Sequence, residues 1–313
     1  MTRYVLRRLA FAALLVVAVS SGSLILARLS PGDCVTRAGQ SSGETERLRA
    51  RYGLDKSVAA QYVDWLGRIA LGDFGDSCLY DRPVRELVPE RAANTAILAA
   101  TALALATFVG IPLGVVSGSR RRGLLGASIR SVSILFVSLP PILTSLFLVF
   151  ICARTKWLPI AGMRSASVAR GDEFADLLRH LIVPASALAL PLAAMFERLQ
   201  SQAMSEAMAE PFVVATAARG VPRARIVWRD ALRVSLGPVT SLYGLVVGTL
   251  LSGSFIVEVV TAWPGLGSLM LNALRGRDVY LVAACAGAGA FFLACGTLLS
   301  DLALGAVDPR AAQ

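Results

Sequence analysis

Glu197 and Glu258 are acids set inside apolar runs, where an unpaired carboxylate is costly enough to read as functional. Glu258 has two readings. It is a pathway or gate group, or it reaches outer water or pairs with Arg275 or Arg277 to brace an outer loop. Glu197 reads as a structural or interfacial residue paired with a nearby arginine. Other reactive groups are sparse. The chain holds one histidine, His180, and five cysteines, none in a C-x-x-C pair. One histidine cannot build H-E-x-x-H, and neither a G-x-S-x-G elbow nor a G-x-x-x-x-G-K-[ST] loop occurs. No metal, catalytic set or nucleotide site is legible, so no cofactor is expected on this chain.

The other chemistry on offer is non-covalent. Phe212 to Arg219 can form a helix whose middle is Ala215-Thr216-Ala217-Ala218, and such small side chains let another protein approach the backbone. Pro211 suits a first helical position, where its missing N–H costs nothing. Gly220 suits the left-handed residue past a helix end, and Pro222 can start the next helix. Two short helices at right angles on a basic loop, within about 203–233, read as a docking device rather than a linker.

The elements that carry these residues are membrane spans. Apolar residues make up 55% of the 313, and six runs approach the ~20 residues needed to cross ~30 Å of hydrocarbon. They are roughly 9–29, 94–118, 127–152, 181–199, 236–260 and 279–305. Each must be helical, because lipid offers the backbone no hydrogen bonds. The fourth carries Pro184, Pro191 and Glu197 and is expected to be bent and enclosed by other helices. The 9–29 run extends beyond a signal-peptide core and reads as an uncleaved first span. The domain plan is therefore an N-terminus and first span over 1–29, a cap over 30–93 and a five-helix core over 94–313.

Arginines set the orientation. Arg3, Arg7 and Arg8 precede the first span, Arg120, Arg121 and Arg122 follow the second, and six arginines lie between 198 and 233. With six spans all three groups share one side, which the positive-inside rule makes cytoplasmic. Both termini are then cytoplasmic. The net charge of +10 is explained by this topology and requires no nucleic-acid partner; basic loop residues can instead meet anionic lipid headgroups.

The segment 30–93 then faces outward. Gly53-Leu54-Asp55 reads as a helix stop, Val58 to Leu71 as a short amphipathic helix with Val63, Leu66, Ile69 and Ala70 on its apolar face, and Gly72 to Ser77 as a turn. Cys34 and Cys78 both fall here. A disulfide between them is allowed by compartment, and two buried free thiols are the alternative. Cys152, Cys285 and Cys295 lie in or at the ends of apolar runs and read as packing residues. Trp263 stands with Glu258 as a pathway or gate candidate; it opens a Gly-rich turn that permits close approach between subunits, and it equally suits an interfacial aromatic anchor.

Short runs along the whole chain resemble one family. They include Arg3-Tyr4-Val5-Leu6-Arg7-Arg8-Leu9, Ser30-Pro31-Gly32-Asp33, Tyr52-Gly53-Leu54-Asp55, Gly72-Asp73-Phe74-Gly75, Gly110-Ile111-Pro112-Leu113-Gly114, Trp263-Pro264-Gly265-Leu266-Gly267, Arg277-Asp278 and Asp308-Pro309-Arg310. In order and spacing they are similar to the permease subunit of dipeptide, oligopeptide and nickel ATP-binding-cassette importers. The resemblance implies an all-α membrane protein of six transmembrane helices, with an outward-facing cap after the first and cytoplasmic coupling helices between spans four and five. It places ATPase coupling on Phe212, Ala215, Ala217, Arg219 and Gly220. It implies a second homologous permease, two ATPase subunits that bind the ATP and magnesium, and an extracytoplasmic substrate-binding protein.

Three departures from the family pattern stand out. Pro211-Phe212-Val213-Val214 replaces the usual Asp-Tyr-Val-Arg, Asp230 replaces a histidine, and Cys34 replaces a proline. Glu210 is expected to substitute in part for the lost acid at the helix N-terminus. Without a His-rich or Cys-rich lining, peptides are favoured over nickel or another small solute. An ion-coupled carrier fits six spans poorly, since inverted repeats usually give more. An intramembrane enzyme lacks its catalytic constellation.

Overall fold

The computed structural model describes residues 2–35, 42–69, 71–120, 123–165 and 171–307. Arg121, Arg122, Gly39 and Asp308-Pro309-Arg310 lie outside the described residues. In chain order the elements are α1 (Thr2–Leu29), α2 (Ser42–Arg51), α3 (Val58–Ile69), β1 (Asp76–Ser77), β2 (Arg82–Pro83), α4 (Val84–Ser119), α5 (Leu124–Val137), α6 (Pro141–Thr155), α7 (Glu173–Ala207) and α8 (Pro211–Ala218). A helical stretch follows as α9 (Arg223–Arg225), a π-helical turn over Ile226–Ala231, and α10 (Leu232–Ser235). The chain ends through α11 (Gly237–Ser241), α12 (Tyr243–Val260), α13 (Leu266–Gly276) and α14 (Val279–Val307).

Among the described residues, five helices are long and apolar enough to cross a membrane: α1 from Leu6, α4, α7, α12, and α14 as far as Leu298. The sixth expected span, 127–152, is not one helix. It is α5 and α6 meeting at 104°, so the count is five, or six if this bent pair is one span. Pro140-Pro141 explains the break. A proline pushes its predecessor out of the helical region and removes an N–H. Pro140 accordingly stands extended at ψ 150°, and Pro141 restarts the helix at its first turn.

The chain divides into two compact units. The first joins residues 1–96 to 264–295. Its cores gather Leu24, Trp65, Val279 and Ala283, and separately Val84, Leu87, Leu266, Leu269 and Leu281. The apolar face expected for α3 is corrected here. Val63 is 67% exposed and Leu66 40%, whereas Gln61 and Trp65 are buried. Trp65 and Tyr62 carry more surface than Val63 and turn inward, with Ile69 alongside. Leu71 already lies in a turn, and Ala70 lies outside the described residues. Among the described residues, one short antiparallel ladder pairs Asp76 with Pro83 and Ser77 with Arg82.

The cap segment is cross-braced. Cys34 and Cys78 are joined in a disulfide, with Cα atoms 6.3 Å apart, beside buried Val35, Tyr52 and Leu54. Arg49 pairs with Asp33 at 2.8 Å and Arg51 with Asp81 at 2.9 Å. Asp278 is 1% exposed. It accepts from the Ser77 hydroxyl at 2.6 Å and the Leu79 N–H at 3.1 Å, and caps α14 through the Leu281 N–H at 3.2 Å.

The second unit holds residues 97–263 and those from 296 onward. Here α7 is the central helix: 56% of its apolar window is buried, against 17% for α1. It runs as one helix through Pro184 and Pro191. Helix α4 lies against it along a stripe of glycines. A Cβ on Gly110 would stand 2.5 Å from the Ala193 carbonyl oxygen, on Gly114 2.8 Å from that of Glu197, and on Gly118 2.4 Å from that of Ser201. Small residues four apart let helix backbones touch where lipid supplies no hydrophobic drive.

Candidate functional site

The docking segment is built as a helix, a left-handed turn and a second helix. Pro211 occupies the first turn of α8, and Gly220 has φ +79°. Glu210 stands at the N-cap but makes no side-chain cap hydrogen bond. Phe212 turns inward, packing on the cluster of Val115, Met204, Ala207, Val227 and Ala231. That anchor leaves Val214, Ala215, Ala217, Ala218, Arg219 and Gly220 exposed. Thr216 is buried and holds the turn by accepting from Arg219 Nη2 at 3.1 Å. Among the residues expected to couple, the structure therefore separates an inward anchor, Phe212, from an outward small-residue face.

The segment is tied to the spans by two links. The Phe212 cluster reaches Val115 on α4 and Met204 on α7. Arg223 Nη2 donates to the Ser119 carbonyl at the end of α4 at 3.1 Å, so this arginine is a fastening rather than a purely solvated charge. Neither the π-helical turn at Ile226–Ala231 nor the Arg223 contact has a signature in the sequence. The π turn adds one residue per turn to the helix that follows the docking face, a distortion common at functional sites.

Glu258 and Trp263 sit at the end of α12. Glu258 is fully buried, which removes the reading in which it reaches outer water. Trp263 is also fully buried, packed with Leu98, Leu188, Phe196 and Val257 among others. It is therefore neither an interfacial anchor nor a surface for a neighbouring subunit. The Trp263 N–H donates to the Glu258 carbonyl at 2.8 Å, and Ala262 between them has φ +50°. The Gly162 N–H donates to the Thr261 carbonyl at 2.9 Å, fixing the loop after α6 to this turn. Arg277 lies against Gly32, where a Cβ would stand 1.8 Å from its Nη1.

Glu197 is fully buried and takes a hydrogen bond from Ser117, not from an arginine. Its Oε2 has no hydrogen-bond partner among the described residues. The neighbouring Gln200 donates to Ser235 at 2.7 Å. Gly114, Ser117, Glu197 and Gln200 thus form a polar patch within the α4–α7 contact. No group of three or more His, Cys, Asp or Glu side chains placed to hold a metal occurs among the described residues.

Spanning apolar helices, joined by a fastened helix that presents small residues outward, define a multi-span membrane permease. The chain belongs to the family of binding-protein-dependent transport system inner membrane components, which matches residues 110–313. It is 30% identical over 335 residues to the dipeptide transport system permease protein DppB of Escherichia coli (strain K12), covering 99% of this chain and 98% of that one. It is 29% identical over 317 residues to the oligopeptide transport system permease protein AppB of Bacillus subtilis (strain 168), with 99% of each covered. A protein of Brucella suis biovar 1 (strain 1330) is 33% identical over 320 residues, again with 99% of each covered. A solved inward-facing structure of the MetNI methionine ABC transporter shares the fold, with TM-score 0.54 at 17% identity, covering 71% of this chain and 96% of that one.

Proposed function

We propose that this chain forms half of the translocation pathway of a peptide importer and converts ATP hydrolysis by partner subunits into alternating access. The observation that carries the reading is the exposed face of α8. Val214, Ala215, Ala217 and Ala218 form an apolar, small-residue surface on a charged loop, and surfaces of that kind mark protein contacts. Phe212 and Arg223 link that surface to α4 and α7. A push on α8 therefore reaches the spans as a rigid displacement, and two packings of the spans supply the bistable element. The peptide cargo rests on the relatives' names.

The remaining parts follow from this reading. The second wall of the pathway is a homologous permease, two ATPase subunits bind ATP and magnesium, and an extracytoplasmic binding protein delivers the peptide to the 30–93 cap and other outer loops. The arginine groups around 120 and over 198–233 fall on one side only if the bent α5–α6 pair crosses the membrane once. That favours six spans with both termini cytoplasmic. Glu258 and Trp263 close the outer end of the fifth span and act at its gate. Copurification with an ATPase subunit, and its loss when Ala215 or Ala217 is replaced by Trp, tests the assignment. A chain that retains its ATPase with α8 so obstructed, or never binds one, overturns it.

A further inference from the structure

A cavity of about 260 Å³ opens in the first unit between α1, α3, α4 and α14. Its walls are Val16 and Ser20 of α1, Trp65, Phe74, Val88 and Pro89, together with Ala284, Gly287, Ala288 and Phe291 of α14; Arg85 is its one charged residue. The cavity is not a gap between loose helices. A Cβ on Gly287 would stand 2.2 Å from Ser20 Oγ, so α1 and α14 touch at its floor. Its volume lies below the ~300–1,000 Å³ of sites that hold a whole small-molecule ligand.

We propose that this cavity seats one acyl chain of a membrane phospholipid, with the lipid phosphate on Arg85, in the leaflet bordered by the 30–93 segment. Three of its walls are helices of spanning length, so hydrocarbon is the medium around it. Ser20 lies nine residues inside the end of α1, ~14 Å down the helix at ~1.5 Å per residue, which is acyl-chain depth. Arg85 is the second residue of α4, the lining residue nearest that helix's start, and is exposed. A long cationic side chain there reaches the headgroup level while its stem covers apolar surface. Among the described residues it has no hydrogen-bond or ion-pair partner, which leaves the guanidinium open to a bidentate phosphate. Trp65, 2% exposed, forms the inner wall and Phe291, 55% exposed, the rim.

Trp65 makes the seat readable. The full chain, alone and in its assembled complex, is reconstituted with phosphatidylcholine carrying either plain or dibrominated acyl chains. The expected result is bromine quenching of the Trp65 component, identified as the emission lost in Trp65→Phe. Ala288→Leu and, independently, Val16→Phe fill the cavity and abolish that quenching. Native mass spectrometry of detergent-purified protein retains a phospholipid, and Arg85→Glu loses it. Quenching of Trp65 that survives both fillers overturns the seat. Quenching present in the lone chain and absent from the complex assigns the cavity to a partner subunit instead, and also overturns it. Phospholipid retention unchanged in Arg85→Glu overturns the headgroup contact.

Discussion

Gly118 and Ser201 stand so close that a Cβ on the glycine would lie 2.4 Å from the serine's carbonyl oxygen. With Gly110 and Gly114 meeting Ala193 and Glu197 in the same way, α4 and α7 touch backbone to backbone. The neighbours are main-chain atoms in a helix, so they cannot swing aside. Gly118→Ala should therefore cost roughly 1–3 kcal/mol, the range for overpacking a fitted contact. Thermal unfolding in detergent measures this, with Gly289→Ala as the control because nothing lies within 4 Å of a Cβ there. Equal losses of thermal stability in both variants would show that the stripe is not a packing constraint.

The Cys34–Cys78 bond closes a loop with a sequence separation of 44. Loop-closure entropy gives ~2–4 kcal/mol for a bridge of that size. Replacing both cysteines by serine should lower the stability of the outer segment by that order while sparing the α4–α7 core. Peptide mapping without reduction should recover Cys34 and Cys78 together. Alkylation of both as free thiols in unreduced protein is the contrary result.

Much of this was legible in residue order, and the failures have physical causes. Pro211 and Gly220 announced α8 and its left-handed turn because proline is preset for a first helical position and glycine takes positive φ without strain. The G-x-x-x-G-x-x-x-G spacing of Gly110, Gly114 and Gly118 and the Pro140-Pro141 pair are local signals as well, but hydropathy alone makes 127–152 one continuous span and hides the break. Other features had no local signal. The partner of Glu197 is Ser117, 80 residues away. Asp278 meets Ser77 across 201 residues. The type of Trp263 leaves a subunit contact and an interfacial anchor equally open, and only tertiary packing shows that it is enclosed completely. On α3 the period was right and the face wrong, because burial followed the largest rings rather than the aliphatic residues.

The bent α5–α6 pair decides the topology. If it crosses once, a cysteine replacing the 85% exposed Trp157 should be labelled only from outside, and one replacing Arg121 only from inside. A third at Gly39 should be labelled from outside. These variants carry alanine at Cys152, Cys285 and Cys295. Labelling of positions 121 and 157 from the same face would make the pair re-entrant and put the two arginine-rich loops on opposite sides.

Gly220 separates conformation from contact. Its φ is +79°, yet nothing lies within 4 Å of where a Cβ would sit. Within the chain any loss on substitution must therefore come from backbone strain, and asparagine, as bulky as valine, controls for contact with a partner. Valine is disfavoured at that φ, while asparagine tolerates it. In the assembled complex, Gly220→Val should lower substrate-stimulated ATP hydrolysis and transport, and Gly220→Asn should stay near wild type. Equal activity in both variants would sink the claim that the turn geometry carries coupling.

The chain's dependence on partners is the broadest expectation. Its small-residue face on α8 is exposed within the described chain, with Thr216 the one buried residue of that helix. A polar path through lipid also needs protein on every side, and the spans of one chain wall only half of it in the proposed assembly. Purified alone in liposomes, the chain should hydrolyse no ATP and accumulate no peptide. Adding the second permease, the ATPase subunits and the binding protein should give ATP-dependent import of labelled peptide. The Gly220→Val complex should assemble and still import poorly, which distinguishes failed coupling from failed assembly. Accumulation of peptide by the isolated chain, driven by a proton or sodium gradient, would make it an ion-coupled carrier and end the importer assignment.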